Sequence, residues 1–319
     1  MLLRLILNCK SSLEAPTSVV FCRHFGRLEE SENTMNRRDM IRASVVGTLG
    51  ASTLSPGLAS ASIRVRRDDS EKVQAAVDSG VAYFRQRCDE QMPSVNALVA
   101  AIASGNVDAA KKAYIDSRPP YEEIETIAGS FEESDADIDA RPYSFDGGET
   151  DPEFRGFHKI ENLVFAEENL PAALPYAERL VISFGKLRRE LDQPERFSAE
   201  GQFGGMVALT TEVAAKKVSS EEETWSDQSL LIFKHNWIGA WSQFKPFGDM
   251  VGADSAQVRS VAAAHAAAQE VIRPYFTKDV VAAAPYSSVP IKVRRAIADA
   301  SNRYRDAIIV VRDQIGVPA

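Results

Sequence analysis

His158 and Glu161, in Gly156-Phe157-His158-Lys159-Ile160-Glu161, stand three residues apart. On a helix that spacing points an imidazole and a carboxylate the same way, about one turn apart, so a single ion fits between them. Glu122 and Glu125 repeat the spacing, on the side opposite Ile124 and Ile127, or partly inward if the bundle interior is polar. Two such pairs on facing helices are how helical bundles build carboxylate-rich iron sites. Asp139, in Ile138-Asp139-Ala140-Arg141 at the end of an acidic loop, offers a further oxygen. Two plainer readings compete. A His with a Glu three residues on also arises as a surface contact, and Glu122, Glu123 and Glu125 suit a solvated helix start, where negative charge complements the helix dipole.

Other chemistries lack their parts. The sequence has no Gly-rich phosphate loop, no Gly-x-Ser-x-Gly elbow and no His-Glu-x-x-His pair, which removes the usual apparatus of nucleotide binding, serine hydrolysis and zincin catalysis. A formal charge of −8 over 319 residues gives no general pull toward nucleic acid or anionic lipid and favours cations instead. With 45% hydrophobic and 26% charged residues the composition is that of a globular protein with a buried core.

The front of the chain reads as an address. Asn36-Arg37-Arg38-Asp39-Met40-Ile41-Arg42 precedes a weakly apolar run from Ala43 to Leu58, and Ala59-Ser60-Ala61 supplies small residues for cleavage. That order is a twin-arginine export signal, spanning 35–61. Residues 1–34 do not belong to such a signal and read as an overlong start; a mitochondrial presequence is the rival. The mature domain is then 62–319. Cys9 and Cys22 fall in the leader, which leaves Cys88 alone, with no intrachain disulfide and no cysteine-based metal site. No stretch beyond residue 61 reaches the roughly 18 apolar residues of a membrane span.

Elements must hold the chemical residues in place, and the apolar spacing of three and four predicts helices throughout. It runs through Val73, Val77, Val81 and Phe84 and again through Val95, Leu98, Val99 and Ile102, with Pro93 expected to kink or split that segment. A short helix follows over Val107–Ile115. Pro119-Pro120 predicts an extended break before a helix over Tyr121–Phe131, and Glu132–Phe154 reads as a loop without an apolar face. Helical pattern returns over Phe157–Leu191, with interruptions at Pro171 and Pro175, and over Ser198–Lys217, Ser226–Phe244, Ser255–Tyr275 and Pro290–Val317. Strand-like alternation is sustained nowhere. The fold class is therefore all-α, about seven or eight helices in one domain or two packed bundles.

Three segments, Tyr121-Glu122-Glu123-Ile124-Glu125-Thr126-Ile127-Ala128, Asp137-Ile138-Asp139-Ala140-Arg141 and Gly156 to Glu161, follow in an order that resembles the imelysin-like family of peptidases, in particular its EfeO/EfeM branch of periplasmic iron-uptake proteins. Val213 to Val218, Ser220 to Ser226 and Phe233 to Ala240 are similar to later motifs of the same branch. The resemblance covers about residues 70–317. It implies two packed four-helix bundles with a metal site at their junction. His158 and Glu161 fall on the family's His-x-x-Glu, Glu122 and Glu125 on its upstream acidic helix, and Asp139 on its Ile-Asp-x-Arg aspartate. Glu221, or its neighbour Glu222, falls on a later acidic motif, where a dipole-favoured helix start is the alternative. The short stretch before the first helix implies the EfeM-like form without a cupredoxin domain. His235 is expected to be packed or at the surface, and His265 to lie on a helix face.

Three functions follow from the resemblance and the residues. The first is periplasmic capture of iron, with zinc or manganese as related ions, and its delivery to a membrane iron permease in an EfeUOB-like system. The second is a zinc metallopeptidase, in which His158, Glu161 and a third carboxylate hold zinc. The third is metal-dependent binding of an acidic polysaccharide, helped by Lys186 to Arg189 and Lys292 to Arg295.

Overall fold

The structure is a computed structural model that describes residues 67–219 and 222–319. The expected leader and Glu221 lie outside the described residues. Helix α1 runs unbroken over Arg67–Ala103 and buries Val77, Val81, Phe84, Cys88, Val95, Leu98 and Ile102 along one side. Pro93 does not split it. Pro93 and Asp89, whose carbonyl would have bonded the missing N–H, both lie on the exposed side, open to solvent.

Helix α2 (Val107–Ser117) starts on an Asn106 cap, whose side chain accepts the Ala109 N–H. The expected extended break at Pro119-Pro120 is instead the start of helix α3 (Pro119–Ile124). Prolines suit a first helical turn because their missing N–H has no partner there in any helix. A 3₁₀ turn over Glu125–Ser130 continues it. The expected loop after Glu132 begins as helix α4 (Glu132–Asp139), which buries Ser134, Ile138 and Asp139. Its inward face is mostly polar, so hydrophobic spacing could not reveal it. Helix α5 (Phe157–Glu161) passes into a π turn over Asn162–Ala166, and α6 (Leu170–Glu190) follows.

Helices α7 (Ala199–Ala215), α8 (Ser229–Val251), α9 (Ala256–Ile272) and α10 (Ile291–Ile315) pack as a closed ring, each against the next and α10 against α7. The Trp237 indole donates to Ser301, 3.0 Å away, whose hydroxyl donates to the Thr210 carbonyl at 2.7 Å, tying α8, α10 and α7 together. The other half groups α1, α2, α3 and α6, with α4 against α6. Helix α1 joins the halves: Gln243 and Gln202 donate to the carbonyls of Gly80 and Val77 at 2.9 and 3.0 Å. The all-α class expected from the sequence holds, with no strand among the described residues.

Helix α3 and its 3₁₀ extension are wedged among α1, α7 and α8. Two glycines admit the wedge. A Cβ on Gly239 of α8 would overlap the Glu123 carbonyl oxygen, and one on Gly205 of α7 would overlap that of Thr126. Gly239→Ala is therefore expected to lower stability by about 2 kcal/mol or more, in the range of overpacked cores. Gly204→Ala, with open space around its Cβ, is expected to leave stability unchanged or raise it by about 0.5–1 kcal/mol. Urea unfolding of the two variants checks the pair.

Candidate metal centre

The wedge determines which glutamates turn inward. Glu122 is fully buried and Glu125 is 4% exposed, so neither belongs to a solvated helix start. The Asn236 amide of α8 donates to the Glu122 carbonyl at 2.9 Å, to Glu122 Oε2 at 3.1 Å and to Glu125 Oε2 at 3.0 Å. Glu123 turns another way. It takes the Tyr83 hydroxyl at 2.5 Å, Arg87 Nε at 2.9 Å and His235 Nδ1 at 2.7 Å, so His235 is packed as expected. His265 stacks on Trp241 at 5.1 Å.

Gly156 brings the next two elements together. Its φ of 82° is open to glycine, and a Cβ there would overlap the Ile138 carbonyl. The start of α5 thus abuts the end of α4, and His158 Nε2 lies 3.4 Å from Asp139 Oδ1. On the other side of the ring, His158 Nδ1 lies 3.1 Å from Glu161 Oε2, as the three-residue spacing predicts. Glu161 Oε1 accepts the backbone N–H groups of Trp225 and Ser226 at 2.9 and 2.8 Å, which docks the loop before α8. That loop carries Glu222 and Glu223, both buried. Glu223 accepts from the Tyr114 hydroxyl at 3.3 Å and from the Ser226 hydroxyl.

Three cations share this interior. Arg118 reaches Glu122 at 2.6 Å, Asp139 at 3.0 Å and Glu223 at 2.8 Å, with its guanidinium 4.3 Å above the Phe157 ring. Arg141 pairs with Asp139 and Glu222. Lys217 sits 2.8 Å from Glu125 and 2.9 Å from Glu222. Against them stand six carboxylates, Glu122, Glu125, Asp139, Glu161, Glu222 and Glu223, with His158 among them. Three groups bring ligand atoms within 4.8 Å of one another: Asp139, His158 and Glu222; His158, Glu161 and Glu223; and Glu122, Glu125 and Glu222. Glu222 Oε2 and Asn236 Oδ1 are buried without a hydrogen-bond partner. A cation placed among them would satisfy acceptors that are otherwise costly to bury.

Protons partly compensate the excess of acid. Burial pushes Glu122 well above the usual carboxylate range in spite of Arg118. Burial, joined by the charge of Glu161, raises Glu223 to about 7. For Asp139 burial is outweighed by Arg141 and Arg118, which hold it well below its ordinary value, and Arg141 with Lys217 likewise brings Glu222 to about 2. Burial and Arg141 oppose a charge on His158, but Asp139 and Glu161 prevail and raise it to about 9.

The structure brings His158, Glu161, Glu122, Glu125 and Asp139 into one cluster. Glu221 lies outside the described residues, and its neighbour Glu222 occupies the cluster. Arg118, Arg141, Lys217, Asn236 and Glu223 went unread as site residues; all but Arg118 stand inside segments already singled out. The two basic runs are helix-surface residues, with Lys186 paired to Glu133 at 2.9 Å and Arg188 to Asp89 at 2.7 Å.

Residues 82–309 match the family of peptidase M75, imelysin. The chain is 32% identical over 165 residues to the iron uptake system component EfeO of Escherichia coli (strain K12), and equally to those of Shigella flexneri and Shigella boydii serotype 4 (strain Sb227). The shared stretch is 52% of this chain and 44% of each relative, so the chain spans under half the length of the curated relatives it matches. This chain belongs to the imelysin family.

The protonation pattern sets how the metal-free protein responds to pH. Glu223 and His158 both have folded values above their ordinary 4.5 and 6.5. Their stabilisation is complete below those ordinary values and is lost as pH rises through about 7 and about 9. Metal-free protein should therefore lose thermal stability between pH 5 and 9, and Glu223→Gln should flatten the part of the loss below about pH 7. Thermal melts across that range, with a chelator present, check both.

Proposed function

We propose that this imelysin-family chain is an exported iron-binding protein that captures iron in the His158 cluster outside the cytoplasm and passes it to a membrane iron permease. The observation that carries the reading is the buried excess of carboxylate over permanent cations around one imidazole, with unsatisfied acceptors facing inward. Carboxylate oxygens with a single imidazole suit iron, and also manganese and zinc, better than they suit copper(I), calcium or magnesium. The likeness to EfeO iron uptake components supports iron among these. The twin-arginine segment at 35–61 supports export. No helix of the described residues is long and apolar enough to cross a membrane, which fits a carrier that meets a separate permease.

A zinc peptidase is the second reading. His158, Glu161 and Glu223 form a three-ligand group, the number that catalytic zinc uses, and the family's peptidase name favours it. Catalysis needs an open coordination position and a path for a peptide. Here His158 and Glu161 are at most 1% exposed and Glu223 is 2% exposed, an arrangement suited to enclosing an ion rather than a polypeptide.

Calorimetric titration of the chain from residue 62 onward with iron, zinc and manganese tests the reading. Iron should bind, and the His158→Ala, Glu161→Ala double variant should bind it at least about 100-fold more weakly, the upper end of what even outer-shell losses cost. Wild-type affinity for the double variant would remove the assignment, and a strong preference for zinc with hydrolysis of unstructured protein would favour the peptidase. Because a cation must displace protons from Glu223 and His158, iron affinity is expected to rise from pH 5.5 to pH 8, with net proton release seen in buffers of different ionisation enthalpy.

A further inference from the structure

Lys217 is the one lysine among the three cluster cations, and it lies between two candidate ligands. Its ammonium is 2.8 Å from Glu125 Oε2 and 2.9 Å from Glu222 Oε1. Those two residues belong, with Glu122, to a group whose ligand atoms lie within 4.8 Å of one another. An ion bound between Glu125 and Glu222 would compete with the ammonium for the same two carboxylates, and two positive centres so close in a buried interior repel strongly. One of them must leave.

The arginines are built differently. Arg118 ties together Glu122, Asp139 and Glu223 and stacks over Phe157, and Arg141 bridges Asp139 and Glu222. Such planar forks hold carboxylates in a fixed arrangement, whereas a lysine is a compact point charge on a flexible four-carbon stem. Lys217 also stands on a short 3₁₀ turn (Lys217–Ser219) just past the end of α7, so its stem can swing without disturbing a long helix. Its side chain is only 3% exposed, so a change in its accessibility on ion entry would be readily seen.

We infer that Lys217 is an exchangeable stand-in for the captured ion: its ammonium fills the Glu125–Glu222 position in the iron-free protein and leaves when iron enters. Lys217 is thus a positioning residue for capture and release; the inference deepens the iron-capture reading and rests on it. An empty cluster keeps its carboxylates apart and compensated, and the returning ammonium helps to expel the ion on delivery.

The test is pulsed acetylation of the whole chain with N-hydroxysuccinimidyl acetate, read at Lys217 by mass spectrometry with and without saturating ferrous iron under anaerobic conditions. The partly exposed neighbour Lys216 serves as the internal reference. Lys217 should be protected in the iron-free protein and become about tenfold or more reactive when iron binds, as a group does on losing its protecting contacts. Lys217→Met should bind ferrous iron about tenfold more tightly, and Lys217→Arg more weakly than wild type, since a guanidinium holds both carboxylates in place. Iron binding that leaves Lys217 protected overturns the inference while sparing the capture reading. Absence of iron binding by the wild-type chain overturns both. The labelling is read on wild-type protein, so it decides the matter even if Lys217→Met fails to fold.

Discussion

The interior of this protein holds more carboxylate than permanent positive charge, and that imbalance governs the rest of the structure. Isolated buried charge is costly, and a buried pair repays its desolvation only when its remaining acceptors are satisfied. Here Arg118, Arg141 and Lys217 meet six carboxylates; burial favours a proton on Glu122 and Glu223, and Asp139 and Glu161 favour one on His158. A cluster that holds protons is one that a cation can enter by replacing them.

Several unrelated pieces of chain have to converge for this. Helix α3 and its 3₁₀ extension supply two carboxylates only because Gly205 and Gly239 let their backbone press against α7 and α8. Asp139 and His158 meet only because Gly156 lets α5 start against the end of α4. The loop carrying Glu222 and Glu223 is fastened by Glu161, which spends one oxygen on two backbone N–H groups and turns the other to His158. Glu161 therefore acts both as a candidate ligand and as the anchor of two further carboxylates.

Much of this was legible in the sequence. Long helices such as α1, α6, α7, α9 and α10 follow from apolar residues at three and four, because their buried stripes are hydrophobic. Helix α4 was not legible, since its inward side is Ser134, Ile138 and Asp139, and polar burial leaves no periodic signal. Pro119-Pro120 misled for a related reason: a proline pair breaks a helix interior but suits a helix start, and only position distinguishes them. The inward turn of His158, Glu161, Glu122, Glu125 and Asp139 agrees with their motifs. Arg118 and Lys217 were not legible as site residues, because a charged side chain is usually solvated and nothing local says that these two are enclosed.

The account places the captured ion within the cluster centred on His158, among residues delivered by α3, α4, α5 and the loop before α8. Crystals of the iron-loaded protein, measured on either side of the iron absorption edge, test that claim most directly. The account requires an anomalous peak inside the cluster, within coordination distance of at least two of the six carboxylates. A peak elsewhere on the molecule, or iron-loaded protein whose cluster shows none, would contradict it.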